Sequence, residues 1–284
     1  MNELVKIVES KKNAVWKTKA AFMPKNINVD AYFQRALMSV MSSTRMIEIA
    51  NNPVGAKSIF DKISLALQMG LQIGGQFPQA TLMPTWNTEH KCFVVSLVIS
   101  AVGYKYLATS DPAVVRDVEH FPIYEKEIES FRGDEFTGNM TIERIFSGDP
   151  GKIVGVWFVI TKIDGTVRGK FVRENQIIKR MESSPSVKAV REKKIPENAS
   201  PWITWYEEMF IQAAYKIVLS EYAKQKEGAC LRLAVENDEE EALSKKDFNI
   251  LTDKIIDIKP SKEEKENEND KKNNKNNGSE PLFD

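Results

Sequence analysis

Helix-period, then period-two, then helix-period segments follow one another along this chain, and nothing else in the sequence restricts the fold as much. Near the start, Asp30 is read as the cap of a helix continuing AYFQRALMSVMSS, with Phe33, Leu37, Val40 and Met41 on one face. A second helix is predicted over about Ala56 to Met69, with Ile59, Ile63 and Leu67 at helical spacing and Gly70 as a left-handed cap. Asn51-Asn52-Pro53 reads as the turn between them. The middle is strand-like. ATLMPTW and KCFVVSLVIS flank a hairpin loop at Asn87-Thr88-Glu89-His90. After a short helix around Gly103 to Thr109 come AVVRDVEHF, PIYEKEIESF and MTIERIFS, then VGVWFVIT and TVRGKFV around an Asp164-Gly165 turn. The last third returns to helix, briefly over Glu174 to Met181. A long helix is then predicted from Pro201 to Lys226, with Trp202, Trp205, Met209 and Ala213 on one face. This order predicts an α+β fold: an antiparallel sheet with helices before and after it.

The 42% hydrophobic content is enough for a core in 284 residues. Cys92 and Cys230 lie far apart and outside any Cys-x-x-Cys or Cys/His cluster, which argues against a disulfide framework or zinc site and fits a reducing compartment. The opening MNELVKIVESKKN mixes both charges and reads as no signal peptide. The longest apolar run, Phe93 to Ser100, is too short to span a bilayer.

The net charge of zero is a cancellation. Residues 236–284 hold 15 acidic and 9 basic side chains, leaving residues 1–235 with 31 basic and 25 acidic. A basic body thus carries an acidic tail, and only the body's sign bears on phosphate binding. From Ser261 the tail reads SKEEKENENDKKNNKNNGSE, with no apolar residue, so disorder is expected there. The terminal Pro281-Leu282-Phe283-Asp284 is either a chance apolar ending or a short docking motif. The division expected is an arm over 1–28, a domain over 29–240 and a tail over 241–284.

Enzyme motifs are missing. No Walker A sequence occurs, and Gly70-Leu71-Gln72-Ile73-Gly74-Gly75 lacks both the lysine and the preceding strand of one. His90 and His120 have no second ligand at metal spacing. There is no nucleophile elbow. Glu125, Glu127 and Glu129 alternate as the solvated face of a strand, and Asp117 with Glu119 could serve a metal nuclease only if forced. No cofactor is implied.

Basic residues instead interleave with aromatics. Tyr104-Lys105-Tyr106 follow Gly103. Arg168, Lys170 and Arg173 lie near period two, which puts Arg168 and Lys170 on one strand face. Lys179 and Arg180 precede a loop with Lys188, Arg191, Lys193 and Lys194. Lys91 sits on the first hairpin. Cations on adjacent surfaces with aromatic faces nearby suit a nucleic-acid backbone, although each cluster alone is also an ordinary solvated face. Trp157 and Trp205 are read as core.

The chain resembles the RecT/Redβ recombinase group from about Asp30 to Asp238. The residues that carry the likeness are Met69-Gly70-Leu71, Gly74-Gly75-Gln76, Leu82-Met83-Pro84, Gly103-Tyr104-Lys105, the segment Asp117 to Phe131, Pro201-Trp202 with Tyr206-Glu207-Glu208-Met209, and Glu236-Asn237-Asp238-Glu239. Tyr106 departs from the family's glycine. Gln212 and Ala213 stand where a lysine-threonine pair is common, leaving Lys216 as the later basic position. The resemblance implies ATP-independent single-strand DNA annealing with no bond-making chemistry, assembly as a ring or helical filament, a partner exonuclease and a host single-strand binding protein. It also implies action in the bacterial cytoplasm, at the nucleoid when bound to DNA. A protein that coats single strands without annealing them is the alternative. On this reading Lys91, Tyr104, Lys105, Arg168, Lys170, Arg173, Lys179, Arg180 and Lys216 meet DNA, with Lys105 held by a turn at Gly103. The helices at Ala31–Ser43 and Ile59–Leu71 pack either against a neighbouring protomer or only into the core.

Overall fold

The computed structural model describes residues 3–10, 28–87, 89–110, 113–193 and 195–243. The acidic tail, including Pro281–Asp284, lies outside these residues, as do Thr88 and Lys194.

Among the described residues four helices come first: α1 at residues 3–10, α2 (Val29–Met41), α3 (Thr44–Asn51) and α4 (Pro53–Gln68). Asn28, not Asp30, caps α2, its Oδ1 accepting from Ala31 N at 3.0 Å. The expected Asn51-Asn52-Pro53 turn is a helix corner. Asn52 caps α4 by accepting from Val54 N and Gly55 N at 2.9 and 3.2 Å, and Pro53 occupies the first turn, where no N–H is needed. A β-carbon on Gly55 would sit 2.3 Å from the Ile49 carbonyl oxygen, so glycine allows α3 and α4 to approach. From Gly55 to Gln68 every residue of α4 except Lys57 and Asp61 is buried. This helix is covered within one chain, which is the core role and leaves no apolar face for a neighbour. On α2, by contrast, Met38 and Met41 stay exposed. Gly70, at φ 70°, ends α4 as expected.

The strands form three small antiparallel sheets, not one. The first is the hairpin β1 (Ala80–Asn87) and β2 (Cys92–Ile99), with Trp86 opposite Phe93 and α4 packed on β2. The outer edge of β2 is closed by side chains. Val95 N donates to Ser58 Oγ at 3.0 Å, Asn237 Nδ2 donates to Leu97 O at 2.9 Å, and Gln212 Nε2 donates to Ile99 O at 2.9 Å. These alternate residues aim their backbone groups away from β1, and three different helices satisfy them.

Ser100 then caps α5 (Ala101–Thr109), accepting from Gly103 N at 3.1 Å while its hydroxyl donates to Pro78 O at 2.8 Å. Gly103 is therefore inside a helix and forms no turn. A β-carbon there would lie 2.2 Å from Gln79 O.

The second sheet has the order β3 (Asp117–Tyr124), β6 (Ile153–Thr161), β7 (Val167–Arg173), with β6 central. One face carries Phe158, against which Tyr215 packs edge-on at 4.9 Å. The other carries Trp157, which is buried as expected. Its indole fits because Gly133 and Gly169 have no side chain: β-carbons there would come within 2.7 and 2.1 Å of the ring. The ribbon β4 (Arg132–Gly133) and β5 (Met140–Thr141) lies over that face. Residues 125–130 are turns, so the expected glutamate-lined strand is absent there. Glu127 is buried and accepts from Arg144 Nη1 at 2.8 Å and Ile145 N at 3.0 Å.

Helices α6 (Glu174–Ser183) and α7 (Pro185–Arg191) follow. The long helix expected from Pro201 is interrupted at Trp205 (φ −128°, ψ 52°), giving α8 (Pro201–Thr204) and α9 (Tyr206–Leu219). Trp202 is buried, but Trp205 is 61% exposed and is no core residue. The last helix among the described residues, α10 (Ala229–Leu243), was not expected and runs past the boundary placed at residue 240. The architecture is α+β, with antiparallel sheets flanked by helices.

Candidate nucleic-acid interface

Strand β7 runs directly into α6, and Arg173 ends the one and caps the other. Arg168, Lys170, Arg173, Lys179 and Arg180 therefore form one basic run on two consecutive elements. Arg168 and Lys170 pair across the ladder with Ile160 and Phe158, on the same side of the sheet. The Arg168 Nη1 donates to Phe136 O at 3.0 Å, and its guanidinium carbon lies 5.7 Å from the Phe136 ring centroid. Lys170 is ion-paired with Glu221, an exposed carboxylate after α9. Arg173 is exposed. Lys179 and Arg180 line a cleft of about 310 Å³ together with Asn175, Gln176 and Ile217. Farther on, Lys188 and Arg191 belong to α7 and not to a loop, Arg191 facing Glu182 at 3.4 Å.

Lys105 lies on α5, half exposed, 3.0 Å from Asp117 on β3. The hydrogen bond from this ammonium holds the Asp117 carboxyl below its usual value. Next to it, His120 Nδ1 and Tyr215 Oη share a hydrogen bond of 2.9 Å. Partial burial, and then Lys105, hold this imidazole below its ordinary value. Asp117 is thus engaged by a cation, and among the described residues no group of three or more His, Cys, Asp or Glu is placed to hold a metal ion.

Two of the expected DNA contacts are structural instead. Tyr104 is fully buried, and its hydroxyl donates to Asp238 Oδ2 at 2.5 Å. Lys216 is 7% exposed and lies 3.4 Å from the same carboxylate. Beside them, the buried Lys62 Nζ donates to Asn237 Oδ1 at 2.6 Å. Burial pushes the Asp238 carboxyl up, against the opposing pull of Lys216 and Tyr104. This polar cluster ties α4, α5, α9 and α10 together. Its one carboxylate, Asp238, and its amide, Asn237, come from a helix legible in the sequence only as the domain's acidic end.

Trp86 and Arg45, unlike Lys91 beside them, went unnoticed in the sequence. Trp86, 51% exposed, packs edge-on to Phe93 at 4.9 Å. Arg45 stands over the opposite neighbour's ring, 3.8 Å from the Phe93 centroid. Lys91, exposed at φ 49°, lies at the turn of the same hairpin. The pairing of Trp86 with Phe93 follows from the hairpin register. Arg45 was hidden because it belongs to α3, a helix absent from the sequence reading.

Residues 31–251 match the pattern that defines the RecT family, which is most of the chain. The protein belongs to the RecT family. Like other RecT proteins it is an ATP-independent single-strand annealing protein of phage recombination: it binds single-stranded DNA, oligomerises, and performs no catalytic chemistry. No curated protein matches this RecT chain. Among its described residues no helix is long and apolar enough to cross a membrane.

Proposed function

We propose that this RecT protein holds the DNA backbone along the β7–α6 basic run, with Arg168, Lys170, Arg173, Lys179 and Arg180 as phosphate contacts. The observation that carries this is their continuity on adjoining elements. Cations on adjoining elements screen the repulsion between two phosphate backbones without reading sequence. Lys105 and Lys170 are weaker contributors because Asp117 and Glu221 already neutralise much of their charge. The hairpin end, with Lys91, Arg45, Trp86 and Phe93, supplies a second surface on which a base stacks and a phosphate pairs. Bases left free can then test pairing, and correct pairs gain stacking of roughly 1.4 kcal/mol per step, so no nucleotide hydrolysis is needed.

The same reading assigns a ring or filament as the working assembly, a partner exonuclease and host single-strand binding protein as companions, and the bacterial cytoplasm as the place of action. The family resemblance supports these. The residue assignment is tested by following two labelled complementary strands without ATP. Wild-type protein accelerates pairing, and a variant with Arg173, Lys179 and Arg180 changed to glutamine loses the acceleration while keeping its melting temperature. Full acceleration by that folded variant would refute the assignment. Binding without acceleration by the wild type would make the chain a coating protein with a RecT fold.

A further inference from the structure

The β4–β5 ribbon presents a phenyl ring to solvent from a turn that is otherwise fastened down. Asp134 Oδ1 accepts from Phe136 N and its Oδ2 from Thr137 Oγ1, both at 2.8 Å. Asp134 N donates to Asn139 O, and Gly138 N to Asp134 O, each at 2.9 Å. The turn is also bound to the sheet beneath. Gly169 N donates to Glu135 O at 2.9 Å, and Trp157 Nε1 to Gly138 O at 3.3 Å. Gly138 itself has φ 74°, and a β-carbon there would lie 2.7 Å from Val167 Cγ1, so the turn packs against the Val167 side chain only because this residue is glycine. Yet Phe136 is 76% exposed. Single exposed apolar side chains are common and need no account. This one differs in being held rigidly and in having a guanidinium against it, while Phe146, more exposed still, has no such cation contact among the described residues.

We propose that Phe136 and Arg168 form a stacking post for an unpaired nucleobase. This inference rests on the single-stranded DNA reading of the β7–α6 run, to which Arg168 belongs. A phenyl face accepts any base, so the post is indifferent to sequence. Arg168, fixed by its hydrogen bond to Phe136 O, places a positive charge beside the ring where the nucleotide's phosphate arrives. Because the turn is already ordered, little conformational entropy is lost when a base lands. The consequence is selectivity for strand state. A base in a duplex has both faces covered by its neighbours and offers nothing to the ring. An unpaired base does, so the post favours the single strand and lets go as pairs form.

Three probes separate the possibilities: a labelled oligodeoxythymidylate, a backbone of equal length made of abasic sites, and a labelled duplex. In the full-length protein, Phe136→Ala should lose about five- to a hundred-fold in affinity for oligodeoxythymidylate. It should bind the abasic backbone and the duplex like the wild type, and Phe136→Trp should restore oligodeoxythymidylate binding. Undiminished oligodeoxythymidylate affinity in Phe136→Ala would overturn the proposal. So would an equal loss on the abasic backbone, which would mean that Phe136 only supports Arg168. A changed assembly size in Phe136→Ala without DNA, measured by sedimentation, would also overturn it and make the ring a contact between copies. A wild-type protein that binds none of the three probes would instead refute the DNA reading itself.

Discussion

At the residue scale, the decisive distinction is between a basic or aromatic side chain that faces water and one that faces its own fold. Tyr104 and Lys216 carry the right chemistry for DNA but point at Asp238 inside the molecule. Tyr104→Phe leaves a buried acceptor short of one donor and should cost about 1–3 kcal/mol in urea unfolding, with single-strand affinity unchanged. Lys216→Met strands the Asp238 charge and should cost roughly 3–5 kcal/mol, again without a binding defect in the protein that remains folded. His120 gives a pH effect whose sign follows from its lowered value. The unfolded chain takes up this proton at a higher pH than the folded one. The stabilisation is therefore complete above the ordinary histidine value of about 6.5 and is lost as pH falls below it. Thermal melts between about pH 7.5 and about pH 5.5 should show a smaller fall for His120→Gln than for the wild type. The residue types of the site were legible in the sequence. Their direction was not, because Tyr104 and Lys105 are neighbours on one helix that point to opposite environments, and the carboxylate that claims Tyr104 lies 134 residues away. Reversing the charge of Lys105 would set two carboxylates together at Asp117, so Lys105→Gln is the cleaner test of its contribution to binding.

At the element scale, the hairpins and the helical repeat of α4 were readable, since local turn chemistry and periodicity determine them. The β1–β2 and β6–β7 pairs and the end of α4 at Gly70 fall where the pattern put them. What failed was whatever depended on distant partners. The Glu125 to Glu129 stretch alternates like a strand, but Glu127 finds Arg144 and the chain turns. The run after Pro201 has helical period through Trp205, yet the backbone breaks there and the indole stays in water. Gly103 looked like a turn because glycine commonly marks one. Its actual role is to let α5 pass the Gln79 carbonyl. Gly103→Ala should therefore destabilise by about 1–3 kcal/mol in a thermal or urea melt, although alanine is the better helix former.

At the scale of the whole molecule, the zero net charge conceals a body able to attract phosphate, and salt dependence is the measurement that exposes it. The logarithm of single-strand affinity should fall linearly with the logarithm of salt concentration. Replacing Arg173, Lys179 and Arg180 with glutamine should flatten that slope by about 0.7 for each phosphate contact removed. An unchanged slope would place the backbone elsewhere. The closure of the β2 edge has a consequence of a different kind, in time. Leu97 leaves the ribosome long before Asn237, 140 residues later, can cover it. At about 5–20 residues per second, the hairpin waits roughly 7 to 28 s with the Leu97 carbonyl open. Each newly made chain thus passes through a window in which its first sheet can pair with a stranger, and the last of the described helices to be synthesised is the one that ends it.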